Sequence, residues 1–202
     1  MTVTDIIELS KSKKRVYIDN EFAFVLYKGE LHKYGIILGE EIAEVDYQEI
    51  MENVLPKRAK LRAINLLQTK DYTEAALRTK LMQGEYPEDI IEEAISYVKS
   101  YHYIDDVRYA KDYLTYHEKD KSLRKIKDSL RQRGIRKEDI EKAIFLWEEE
   151  GGEMDECNMI QKFLEKKGYS EDWDYKEKCK IYNALLRKGF SSDSIQKMLS
   201  FT

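Results

Sequence analysis

The chain has 202 residues, 42% of them hydrophobic and 37% charged, with only 2 Pro and 9 Gly and a formal net charge of −4. This composition suits cores built from soluble, exposed helices, and the acidic balance argues against a generic, sequence-independent coat on DNA. No apolar run approaches the roughly 18 residues of a membrane span, and MTVTDIIELSKSKKR lacks the order of a secretory signal, so a cytoplasmic protein with no membrane partner is expected.

In chain order, the first dozen residues are expected to be a frayed or loosely docked start. From Arg15 the pattern has period two: Val16 and Ile18, then Phe22, Phe24 and Leu26, alternate with their neighbours around the turn formers Asp19-Asn20-Glu21. A β-hairpin is predicted there, packed on the helices that follow or paired with another chain, because an isolated hairpin is marginal in water. A short helix is expected over Glu44–Leu55, ended by Pro56.

The remainder is repetitive. From Asp105, three helical stripes follow one another: Val107, Ala110, Leu114 and His117 behind the Asp105-Asp106 cap; Leu123, Ile126 and Leu130 behind Ser122; and Ile140, Ala143, Ile144 and Trp147 after Gly134-Ile135. Lys125-Ile126, Leu130, Gly134-Ile135 and Ile140 return, shifted by 55, as Lys180-Ile181, Leu185, Gly189-Phe190 and Ile195. Shifted back by 49, Leu130, Ile135, Ile140, Ala143 and Ile144 correspond to Leu81, Tyr86, Ile91, Ala94 and Ile95, with Gly84 one residue early. The expected fold is therefore mainly α. An N-terminal extension (1–56) carries the β-hairpin and short helix, and three tandem three-helix repeats (57–104, 105–150, 151–202) form an elongated, curved rod. The run from Glu148 to Glu153, with Gly151-Gly152 at its centre, is expected to be a flexible hinge.

Charge is unevenly placed. Between Lys119 and Lys137 nine basic residues (Lys119, Lys121, Arg124, Lys125, Lys127, Arg131, Arg133, Arg136, Lys137) face two acids, Asp120 and Asp128. Arg124, Lys127 and Arg131 follow the core stripe one residue later, about 100° around the axis, and form a basic ridge beside the buried face. A solvated helix face and a docking ridge for an anionic partner both fit this pattern. With Lys125, Arg133 and, in the third repeat, Lys180, Arg187 and Lys188, the ridge is the candidate partner- or DNA-binding surface. Nothing in the sequence suggests an enzyme or a cofactor. Cys157 and Cys179 have no companion at ligand spacing, and of the histidines His32, His102 and His117 the last lies on an apolar stripe. No phosphate-binding glycine loop or nucleophile motif occurs.

The junction Tyr103-Ile104-Asp105-Asp106-x-Arg108-Tyr109-Ala110, followed by Leu130-x-x-x-Gly134-Ile135 and preceded by Ala76-Leu77-x-x-Lys80-Leu81, resembles the RecX family of recombinase regulators. The amino-terminal hairpin resembles the extension of family members from Gram-positive bacteria. The resemblance implies a non-enzymatic modulator that binds the RecA filament on single-stranded DNA and reduces its ATPase and strand-exchange activities; a monomer is expected. Asp106, Arg108, Tyr109, Ala110, Leu130 and Gly134 match the signature, and capping and packing explain them at least as well as partner contact. The alternatives are an autonomous nucleic-acid-binding helical repeat protein, a helical scaffold for another protein and, last, an enzyme.

Overall fold

The structure is a computed structural model describing residues 1–199. It divides into two compact units, Met1–Ile104 and the chain from Asp105 onward. The first unit begins with an antiparallel sheet in the order β1 (Val3–Glu8), β2 (Lys13–Ile18), β3 (Glu21–Tyr27). The predicted hairpin is β2–β3, and its two-residue loop places Asp19 and Asn20 at φ +49° and +69°, as a type I′ turn requires. The start of the chain is not frayed: β1 pairs with β2 from Val3↔Ile18 to Glu8↔Lys14. The segment 39–42 holds the end of β1 through Val3 N–H to Glu40 O and Gly39 N–H to Val3 O, both 2.9 Å.

The sheet packs on the first repeat. Val16, Ile18, Phe24 and Leu26 share one buried cluster with Ile50, Leu55, Ala59, Ala63, Leu77, Leu81 and Ile91. The short helix α1 (Lys28–Lys33) follows β3. Pro56 does not end a helix. Helix α2 (Glu44–Glu49) passes through a π turn (Ile50–Val54) directly into α3 (Leu55–Leu67), with Pro56 buried in the first turn of α3. Leu55 N–H bonds to Ile50 O, five residues back, and this wider turn accommodates a proline that has no N–H to donate. Helices α4 (Glu74–Met82) and α5 (Glu88–Ser100) complete the repeat, and the Thr73 side chain accepts from Ala76 N–H at 3.2 Å.

Two contacts fasten sheet to helices. The Arg15 guanidinium donates to both oxygens of the Glu85 carboxylate, and Arg58 donates to Glu30 at 2.7 and 2.8 Å and to Val25 O at 2.9 Å. Glu85, not Gly84, takes the left-handed position at the end of α4, with φ +57°. Gly134 and Gly189 fill that position in the later repeats, at +81° and +86°.

The second unit holds two further repeats. The first is α6 (Asp106–His117), α7 (Leu123–Gln132) and α8 (Lys137–Glu149) around Ala110, Leu114, Ile126, Leu130, Ile140 and Trp147. The second is α9 (Glu156–Lys167), α10 (Tyr175–Arg187) and α11 (Ser192–Met198) around Ile160, Leu164, Leu185, Phe190 and Ile195. Asp105 caps α6 through Arg108 N–H at 2.9 Å, and Ser122 caps α7. The glycine pair expected to be a hinge is a packed helix end. Gly151 N–H bonds to Glu148 O and Gly152 N–H to Trp147 O, and a Cβ on Gly152 would overlap the Trp147 indole.

Candidate functional site

The second and third repeats touch at the start of α7, and Met154 packs against the cores of both. Ser122, almost fully buried, donates its hydroxyl proton to Lys188 O at 2.7 Å while capping α7. Gly189 lies so close that a Cβ would come within 2.7 Å of Ser122 Oγ and 3.2 Å of Lys125 Cγ. The turn after α10 is thereby seated on the first turn of α7, and a cleft of about 460 Å³ opens beside the joint.

Cations line this cleft from three directions. Lys119, Lys121 and Lys125 come from the α6–α7 loop and α7, Lys162 and Lys166 from α9, and Arg187 and Lys188 from the end of α10. Met159, Phe163 and Phe190 form an apolar floor, and Asp120 is the single carboxylate among the described lining residues. Lys125, Lys162, Lys166, Arg187 and Lys188 make no ion pair among the described residues; Lys188 Nζ lies over the Phe163 ring, 5.3 Å from its centroid. Seven like charges around a low-dielectric floor focus a positive potential that favours an anion.

An aromatic cluster borders the cleft. Lys121 Nζ donates to Tyr113 Oη at 2.9 Å and to His117 Nε2 at 3.0 Å, and His117 Nδ1 faces Asp120 Oδ1 at 3.1 Å. His117 is thus an engaged, half-buried histidine, its imidazole held between a lysine and a carboxylate. Burial would raise the Tyr113 phenol pKa, but hydrogen bonds from Lys121 and Ser129 and the nearby charges of Lys121 and Arg133 outweigh it and lower the value. The Arg133 guanidinium also lies 4.9 Å from the Tyr113 ring centroid. Next to them Tyr116 is 81% exposed, its ring edge-on to His117. Positive charge beside accessible aromatic faces is the combination that single-stranded nucleic acids use.

The residues of the predicted ridge divide. Lys125, Arg187 and Lys188 converge on the cleft. Arg124 and Arg131 are exposed on α7 outside its lining and Lys127 is half-buried there, Arg131 facing Asp128 at 3.4 Å. Arg133 sits over Tyr113, and Lys180 is exposed on α10. Lys162 and Lys166 belong to the cleft but are missing from the sequence-based ridge. Their signal is the i, i+4 repetition of like charge beside Met159 and Phe163 on one helix. Among the signature residues, Ala110 and Leu130 are fully buried, Tyr109 packs against the same core, Asp106 opens α6, Arg108 is exposed and Gly134 terminates α7. Cys157 and Cys179 are free thiols, and among the described residues no cluster of His, Cys, Asp and Glu could hold a metal ion. No helix among the described residues is long and apolar enough to cross a membrane.

Tandem three-helix repeats carrying a cationic cleft define a class of helical repeat proteins suited to binding an anionic partner. Three domain families match in order: "RecX, first three-helix domain" over residues 59–97, the second over 105–144 and the third over 155–199. The chain belongs to the RecX family. It is 35% identical to the regulatory protein RecX of Caldanaerobacter subterraneus subsp. tengcongensis, with all of both chains covered. It is 30% identical to the RecX of Clostridium acetobutylicum, covering 98% of this chain and 94% of that one. A crystal structure of regulatory protein RecX has the same fold, with a TM-score of 0.65 and 24% identity over 98% of each chain. RecX from Lactobacillus salivarius matches at a TM-score of 0.58 and 26% identity over 72% of this chain and 94% of that one.

Proposed function

We propose that this protein modulates the RecA recombinase, binding the filament that RecA forms on single-stranded DNA and lowering its ATPase and strand-exchange activity without catalysing a reaction itself. Membership of a family of regulatory proteins supports the regulatory role. The observation that carries the choice of surface is the convergence of seven cations on one cleft in a chain of net charge −4. A nucleoprotein filament offers phosphates and acidic protein side chains side by side, and five of these cations have no ion pair among the described residues to break before engaging them.

The test is the single-stranded-DNA-dependent ATPase rate of the cognate RecA, titrated with this protein, with its binding to DNA alone measured in the same buffer. Inhibition is expected at concentrations where free DNA is barely bound. Tight DNA binding with no effect beyond competition for DNA would instead establish an autonomous nucleic-acid-binding protein, a reading that the cleft's charge and the exposed Tyr116 favour.

A further inference from the structure

We propose that the first unit carries a separate nucleotide-binding pocket, in which Lys13, Arg62 and Lys80 take a phosphate and Tyr27 offers a face to the base. The pocket, about 550 Å³, lies where β2 and β3 meet α3 and α4. That volume falls in the usual range of small-ligand sites, about 300–1,000 Å³. Lys13 enters from the start of β2, Arg62 from α3 and Lys80 from α4, so the three charges are assembled by tertiary structure from distant parts of the chain. None of the three has an ion pair, and no carboxylate lines the pocket, among the described residues; Lys80 Nζ donates to the neutral Gln83 Oε1 at 3.1 Å. The fourth cation, Arg58, differs because Glu30 already neutralises it. Like charges gathered without a counter-charge repel one another, and an anion between them relieves that repulsion.

The aromatic wall decides which anion. Tyr27 is 38% exposed, with Lys13 Nζ 5.4 Å and the Arg58 guanidinium 4.9 Å from its ring centroid, and Tyr86 also lines the pocket. Lys13 and Arg58 cover part of the Tyr27 ring, and an acidic peptide would engage only charge, whereas a phosphate joined to a planar base also uses the part of the ring that stays exposed. The shared chemistry is one nucleotide, either free or as a unit of a single strand. The proposal does not rest on the RecA reading.

The experiment follows backbone amide signals of the full isotope-labelled chain during titration with ADP, pyrophosphate and a short oligothymidylate. Saturable shifts are expected at Lys13, Arg62, Gln83 and Gly84. They should weaken at least about tenfold in the double variant Arg62→Glu/Lys80→Glu, whose side chains are exposed and hold no ion pair among the described residues. Saturation by ADP identifies a free nucleotide, and saturation by the oligonucleotide alone identifies a strand. The proposal is overturned if no probe gives saturable shifts at these amides, if the double variant responds unchanged, if pyrophosphate matches ADP without moving Tyr27, or if an oligoglutamate peptide does as well. Amides of Lys125 and Lys188 report on the other cleft in the same spectra, so a failure of either site is read independently.

Discussion

Glu85 occupies a left-handed backbone position that glycine fills in the two later repeats, and its carboxylate is held by Arg15 of the sheet. The charge contact keeps a residue whose Cβ makes that conformation costly by about 1–2 kcal/mol. Glu85→Ala should therefore destabilise more than Glu85→Gly, by about 1 kcal/mol in urea denaturation, since both lose the ion pair and only alanine keeps the strain. The hydrogen bond from Arg15 lowers the Glu85 pKa against an opposing effect of burial, and the hydrogen bond from Lys99 does the same for Glu74. Both folded values lie below the ordinary 4.5, so the stabilisation is intact above that pH and is lost as pH falls through the lowered values. The urea midpoint should accordingly fall below about pH 4.5, with a smaller fall in Arg15→Met. In the second repeat, Gly152 leaves room for the Trp147 ring. Gly152→Ala should cost about 1–3 kcal/mol by overpacking, whereas a flexible hinge would tolerate it. Leu130→Ala, at a fully buried position, should cost about 2–5 kcal/mol.

Among the elements, those the sequence reveals most clearly are the ones specified locally. Asp105 and Ser122 read as caps because a cap needs only its own first turn, and the hairpin reads from period two around Asp19-Asn20. The strand β1 is illegible because Ile6 and Ile7 break its alternation, only Val3 is fully buried, and its partners arrive from Lys14–Ile18 and from 39–42. Pro56 misleads because a π turn, a rarity no local pattern announces, carries the helix past it. The cleft is half legible for the same reason. Helical phase shows the charges of α7, but it takes the packing of the third repeat on the second, with Gly189 seated on Ser122, to bring Lys162, Lys166, Arg187 and Lys188 to them. Two triple reversals compare the surfaces. Lys125→Glu/Lys162→Glu/Lys166→Glu should raise the half-inhibiting concentration on RecA at least about tenfold, and Arg124→Glu/Lys127→Glu/Arg131→Glu by less, with melting of both variants near that of the parent. Equal effects would return the ridge to equal standing with the cleft.

At the scale of the whole molecule, the acidic net charge and the cationic cleft together make ionic strength informative. If phosphates are the main anions engaged, log K should fall against log salt with a slope of about −0.7 per phosphate neutralised on a single strand. A shallower dependence, with RecA required, would mark protein side chains as the main contact. The sheet carries a different consequence, for how the protein can be taken apart. The first family domain matches residues 59–97, yet the compact unit runs from Met1 to Ile104, with Phe24, Leu26 and Ile50 in the same core as Leu77 and Leu81. What recurs as a sequence module is thus smaller than what folds. A fragment cut at Lys57 would sever a helix one residue past Pro56 and uncover the surface that the strands shield, so dissection of this chain belongs between Ile104 and Asp105.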